Sequence, residues 1–243
     1  MHLPLLRRLA LVIASASLLA ACQFEANTPM RAFDVKNTAQ TGTLAPINVT
    51  LTASFASKAW CQDEGAMAIS ALGSGDVPIR PVSCTKRQTA GGESEGVFQI
   101  TTSLVKTAGA ANPQTVVEEV LNDDLARFAV FPHGKRKGLL SVGLFLNLAK
   151  IEAAKAELLK MPVFQEGGDT GTMQVTFSIT VTNDLPNMAK FYLSNVAADA
   201  DPSYTDSVLQ LPPGGSETIT LDPASQAQLM QQGWVNFFAM DAN

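Results

Sequence analysis

From Ile47 to Phe55 the side chains alternate without a break: Ile47, Val49, Leu51, Ala53 and Phe55 are apolar, and Asn48, Thr50, Thr52 and Ser54 are polar. Period-two alternation over this length predicts a strand with one face on a core and the other in water. The pattern returns at 175–182, where Val175, Phe177, Ile179 and Val181 alternate with Thr176, Ser178, Thr180 and Thr182. Both strands present a hydroxyl-rich outer face. Further strands are predicted at 97–105, 127–131, 140–148, 190–196, 207–211, 217–221 and 234–239. Helical spacing is rarer. Ile151, Ala154, Leu158 and Met161 recur at intervals of three and four over 149–161, and Pro162 ends the run. A second helix, 223–232, has Asp222 as N-cap, Pro223 in its first turn and Gly233 just past its end. Its apolar stripe is thin, so it belongs on the surface. Shorter helical stretches are predicted at 115–121 and near 61–72. About nine strands, mostly antiparallel, with two or three short helices predict an α+β, β-dominated fold with a sandwich-like C-terminal part.

The apolar pattern breaks at Glu166-Gly167-Gly168-Asp169-Thr170-Gly171. This is the expected boundary between an α+β domain over 47–165 and a β-rich C-terminal domain or subdomain over 172–243. Residues 22–46 are polar and small, with Pro29, Gly42 and Pro46, and read as an anchor and tether. A flexible coil of this length reaches roughly 25 Å on average. Phe33 and Val35 can instead add an edge strand.

Residues 1–21 differ from the rest. Arg7 and Arg8 precede an apolar stretch from Leu9 to Leu19, followed by small residues. That arrangement is a secretory signal, and no later run offers the 18 or so uninterrupted apolar residues that a spanning helix needs. Leu19-Ala20-Ala21-Cys22 resembles the lipobox of bacterial lipoproteins. The resemblance implies cleavage before Cys22, diacylation of its thiol and, usually, acylation of the new amino group. Gln23 rather than Asp after the cysteine implies, in a diderm, the outer membrane, with the chain on its inner leaflet facing the periplasm. Two or three acyl chains, at about 0.8 kcal/mol per buried methylene, anchor a chain almost permanently without spanning.

With Cys22 lipidated, Cys61 and Cys84 remain, and the exported compartment is oxidising. They are expected to form a disulfide, two buried thiols being the other reading. Closing a loop of about 24 residues is worth roughly 3 kcal/mol in the chain-entropy picture.

Charge narrows the partners. The chain carries 17 basic and 22 acidic side chains, net −5; without Arg7 and Arg8 the basic count becomes 15 and the net charge −7. An acidic chain of this kind has no general nucleic-acid footprint. Catalytic sets are thin. The mature chain keeps one histidine, His133, so the usual zinc ligand cluster is missing and no metal or other cofactor is expected. G-x-S-x-G, a Walker loop and a dinucleotide glycine motif are absent as well. His133 lies in Pro132-His133-Gly134-Lys135-Arg136-Lys137-Gly138, between two predicted strands, and reads as a hairpin tip. His133, Lys135, Arg136 and Lys137 make this the densest basic patch, the best candidate for binding an anion such as phosphate, lipid A or a glycan acid. Asp199, Asp201 and Asp206 lack the spacing of a calcium loop. Glu118, Glu119, Asp123 and Asp124 are adjacent pairs that point apart on a helix and carry no catalytic weight. Trp60, Trp234, Phe237 and Phe238 are read as core.

The cysteine pair, the stretch Lys150-Ile151-Glu152-Ala153-Ala154-Lys155, and Thr180-Val181-Thr182-Asn183-Asp184 ahead of a β-rich final third resemble an uncharacterised domain of small lipoproteins from bacteria and their tailed phages. That group implies no activity. The expected function is a non-enzymatic cell-envelope lipoprotein that binds or scaffolds another envelope component, an envelope protein or an anionic ligand. The alternatives are an envelope glycan or peptidoglycan hydrolase, and a phage- or prophage-encoded lipoprotein that interferes with infection.

Overall fold

In the computed structural model, which describes residues 23–55, 79–86, 94–107, 120–121, 124–134, 136–158, 174–194 and 204–242, all nine predicted strands form. They are β2 (Ala45–Phe55), β4 (Ser94–Lys106), β5 (Ala126–Pro132), β6 (Leu139–Leu146), β7 (Gln174–Thr182), β8 (Ala189–Ser194), β9 (Tyr204–Leu211), β10 (Ser216–Thr220) and β11 (Trp234–Asp241). Two more were not predicted, β1 (Gln23–Arg31) and β3 (Ile79–Lys86). The helices are α1 (Ala32–Thr41), α2 (Leu148–Leu158) and α3 (Pro223–Gln232). The protein is α+β and dominated by strands. The helix predicted near 61–72, most of that at 115–121 and the last turn of that at 149–161 lie outside the described residues.

The strands form one sheet in the order β10-β7-β1-β2-β4-β5-β6-β11-β8-β9, with β3 beside the first half of β4. Neighbours are antiparallel except β1 with β7 and β4 with β5. Met30 of β1, Ile47 of β2 and Ile179 of β7 share one core with Phe191 of β8 and Leu211 of β9, strands from the other side of the order. A sheet whose two flanks bury side chains in the same interior must curl, and this one is nearly a closed barrel. The strands at the two ends of this order, β9 and β10, are joined by the tight turn Pro212–Gly215, where the Gly215 N–H donates to the Pro212 carbonyl at 2.8 Å. Inside, Phe191 meets Phe238 edge-on at 5.4 Å between ring centres, and Phe128 meets Phe237 at 6.4 Å.

All eight residues of β6 are buried. Leu140, Val142, Leu144 and Leu146 line the interior, while Phe145 joins a second apolar layer with Val105, Val120, Leu121, Ala129, Phe131 and the half-buried Trp234. Burial on both faces is why this segment reads as a continuous apolar run instead of an alternation.

Strand direction sorts the connections onto two ends of the barrel. β1, β4, β5, β7, β9 and β11 begin at one end, where α2 and α3 lie. They finish at the other, which carries α1, the β5–β6 hairpin, the 183–188 connection and the Pro212–Gly215 turn.

Two expectations about organisation are corrected. Residues 23–41 are not a tether: β1 pairs along its whole length with β7 and from Phe24 to Asn27 with β2, and α1 sends Val35 into the core with no exposure. Ala26, Thr28 and Met30 are buried while Glu25, Asn27, Pro29 and Arg31 are exposed, so a period-two pattern is present, written in small and hydroxyl side chains. Pro29 falls past the last residue paired with β2, and a proline is tolerated where a strand's ladder lapses. Nor do 47–165 and 172–243 fold apart. β7 lies against β1, β11 lies against β6, and both stretches fill one core. The C-terminal strands are split between the two flanks of the sheet and make no sandwich of their own.

Candidate functional site

The basic segment is a hairpin tip. Pro132 pairs with Leu140 at its base, the His133 N–H donates to the Leu139 carbonyl at 3.0 Å, and the Leu139 N–H reaches the Arg136 carbonyl at 3.4 Å. Gly138 turns with φ +84°, a conformation that favours glycine. Its carbonyl accepts a hydrogen bond from the Ala242 N–H at 2.8 Å, so the end of β11 is tied to the base of the tip. His133 is half-buried, while Gly134, Arg136 and Lys137 are exposed; Lys135 lies outside the described residues. The backbone is thus fixed from two sides and the two described cations point into water. Exposed cations on a pinned turn attract anions by charge.

The two hydroxyl-rich strands come together. β1, absent from the sequence reading, stands between β7 and β2 and completes one polar outer face: Thr220, Ser178, Asn27, Thr50 and Gln99 lie side by side across β10, β7, β1, β2 and β4. The hydroxyls bond to one another, to asparagine side chains and to backbone carbonyls of the same strands. Thr180 Oγ1 donates to Asn27 Oδ1 at 3.1 Å and lies 2.9 Å from Thr218 Oγ1, Thr182 Oγ1 lies 3.0 Å from Ser216 Oγ, and Thr101 Oγ1 donates to Asn48 Oδ1 at 3.1 Å. Cross-strand pairs of this kind each stabilise a sheet by about 0.2–1 kcal/mol. They account for the polar face as a stabilised outer wall.

Asn183-Asp184 is the junction that sequence reasoning missed. Asn183 is fully buried, and its Nδ2 donates to the carbonyls of Asn187 and Leu211, both at 2.8 Å. Its backbone N–H and C=O bond to Gly215 and Gly214, so one residue fastens the β7–β8 connection to the β9–β10 turn. Asp184 Oδ1 accepts the Phe33 N–H and Oδ2 accepts Arg31 Nε, each at 2.8 Å. Arg31 holds the N-cap position of α1 but gives it no side-chain cap. Asp184 supplies that cap from across the chain. A polar pair after an alternating strand signals a turn, and nothing local signals its partners.

Cys84, half-buried on the edge strand β3, is disulfide-bonded. Cys22 and Cys61 lie outside the described residues, as do Trp60, Glu118, Glu119, Asp123, Asp199 and Asp201. Asp124 pairs with Arg127 Nε, whose Nη1 also donates to the Val120 carbonyl at 3.0 Å. Phe237 and Phe238 are buried at 2% and 0% exposure, in the core as expected. Among the described residues no three His, Cys, Asp or Glu side chains gather where they would hold a metal ion, and no helix is long and apolar enough to cross a membrane. Against known proteins, no family model, no curated protein and no solved structure matches the chain.

Proposed function

We propose that the chain is a lipid-anchored, non-enzymatic protein of the cell envelope that binds or scaffolds another envelope component. In this reading Cys22 holds it on the inner leaflet of the outer membrane, facing the periplasm. The observation that carries the reading is Leu19-Ala20-Ala21-Cys22, after a basic and apolar leader, immediately ahead of a folded domain. The cationic hairpin supports it as the contact for an anionic component: its backbone is pinned, its charges are exposed, and the chain around it is acidic.

Replacing Cys22 by Ser tests the anchor. The variant should stay uncleaved and take up no palmitate analogue, whereas the wild type is labelled and fractionates with membrane. Equal labelling of the two would end the proposal. Crosslinking in intact cells then identifies the bound component.

A further inference from the structure

β1 begins at Gln23, the residue after Cys22, and is in register with β7 from that first residue. No linker separates the acylated position from the sheet. The end of the barrel at which β1 begins is therefore held within about one residue's reach, roughly 3.5 Å of backbone, of the attachment point. The opposite end stands off by the length of β1, nine residues, or roughly 30 Å of strand.

The near end carries a surface suited to a lipid headgroup layer. α3 follows β10 there and packs on β7, β6 and β11. The Leu221 N–H, just before it, donates to the carbonyl of Phe177 at 2.9 Å, and Phe177 pairs with Ala26, three residues from the start of β1. From Pro223 to Gln232 the helix has no charged side chain, although the chain as a whole is acidic. It buries Ser225 and Leu229 and turns Ala224, Ala227 and Met230 outward, an uncharged stripe at helical spacing; Met230 is 42% exposed. The one adjoining carboxylate, the exposed Asp222, is tied up at the N-cap by the Ala224 and Ser225 N–H groups, so the outward stripe itself sets no like charge against an anionic membrane.

Taking the lipid anchor of the preceding section as given, we infer that the end of the barrel where β1 begins, with the outward face of α3, rests on the lipid surface that holds Cys22. The hairpin of Arg136 and Lys137 is then carried at the far end, pointing away from that bilayer. The anion it takes is accordingly not a headgroup of the anchoring leaflet but a component standing off the membrane.

The test uses the full acylated protein in vesicles of phosphatidylethanolamine and phosphatidylglycerol doped with a headgroup nitroxide lipid. A fluorophore is placed on Ala227→Cys or on Lys137→Cys, both exposed positions, with wild-type protein taken through the same labelling as the blank. The label at 227 should be quenched severalfold and the label at 137 should keep its intensity. Equal quenching at both, or stronger quenching at 137, overturns the orientation. A flexible Gly/Ser insertion between Cys22 and Gln23 should relieve the quenching at 227; unchanged quenching would overturn the role given to the direct junction. Protein that proves by mass to carry no lipid and stays off the vesicles overturns the anchor and the orientation together, whereas acylated, bound protein quenched equally at both sites overturns the orientation alone.

Discussion

Asp184 spends one carboxylate on two jobs, and only one of them carries weight. Its bond to the guanidinium of Arg31 is an exposed ion pair, with Arg31 at 62% side-chain exposure, and such pairs contribute little. Its bond to the Phe33 N–H closes the first turn of α1, which the Arg31 side chain leaves open. Removing a capping oxygen destabilises by about 1 kcal/mol, within a range of about 0.5–2 kcal/mol. Asp184→Ala should therefore lower stability by that amount in urea unfolding, and Asp184→Asn, which keeps an acceptor, by clearly less. If Arg31→Ala lowers it as much as Asp184→Ala, the ion pair and not the cap is the source. None of this was legible from the chain, because cap and helix lie 151 positions apart.

At the scale of the element, legibility followed side-chain contrast. β2 and β7 alternate large aliphatic groups with hydroxyls, and α3 has its local signals in place, so each formed where the pattern put it. β1 alternates Ala, Thr and Met with Glu, Asn and Pro, and β3 carries Pro81 at a register shift, so neither shows the apolar contrast that marks a strand. α1 buries Ala32, Val35 and Thr38, a stripe too weakly apolar to stand out without a cap of its own. The cap of α3 predicts a pH dependence. Burial of Asp222 pushes its pKa up, but hydrogen bonds from the Ser225 N–H and hydroxyl and the Ala224 N–H outweigh it and bring it below the ordinary carboxylate value. A folded pKa below the unfolded one means that the stabilisation is complete above the unfolded value, about 3.9, and disappears as pH falls through the lower folded value. The stability gap between wild type and Asp222→Ala should accordingly be constant near neutrality and close in acid; a gap independent of pH would exclude the carboxylate as its source. The hairpin gives the opposite kind of prediction. Replacing Lys135, Arg136 and Lys137 by Ser changes a hairpin tip whose described cations, Arg136 and Lys137, are exposed, and surface substitutions are worth within about half a kcal/mol each, so the melting temperature should hardly move. Binding to the crosslinked component should weaken, and added salt should mimic the substitution. Full, salt-insensitive binding by the triple variant would leave the tip as a soluble turn only.

Across the whole molecule, β1 separates what looks dispensable from what is. A chain begun at Pro46, as a tether would permit, loses the strand between β7 and β2 and the helix that sends Val35 into the core. It should be unfolded by circular dichroism, with no cooperative thermal transition; a cooperative, native-like transition would show that 23–45 is an accessory. The same register has a temporal side. Gln23 pairs with Gln174, and the parallel ladder between them runs the length of both strands. The first strand of the sheet thus waits for most of the chain before its longest edge can be satisfied, and contacts of such high sequence separation form slowly. The barrel cannot close while its seventh strand has yet to be made.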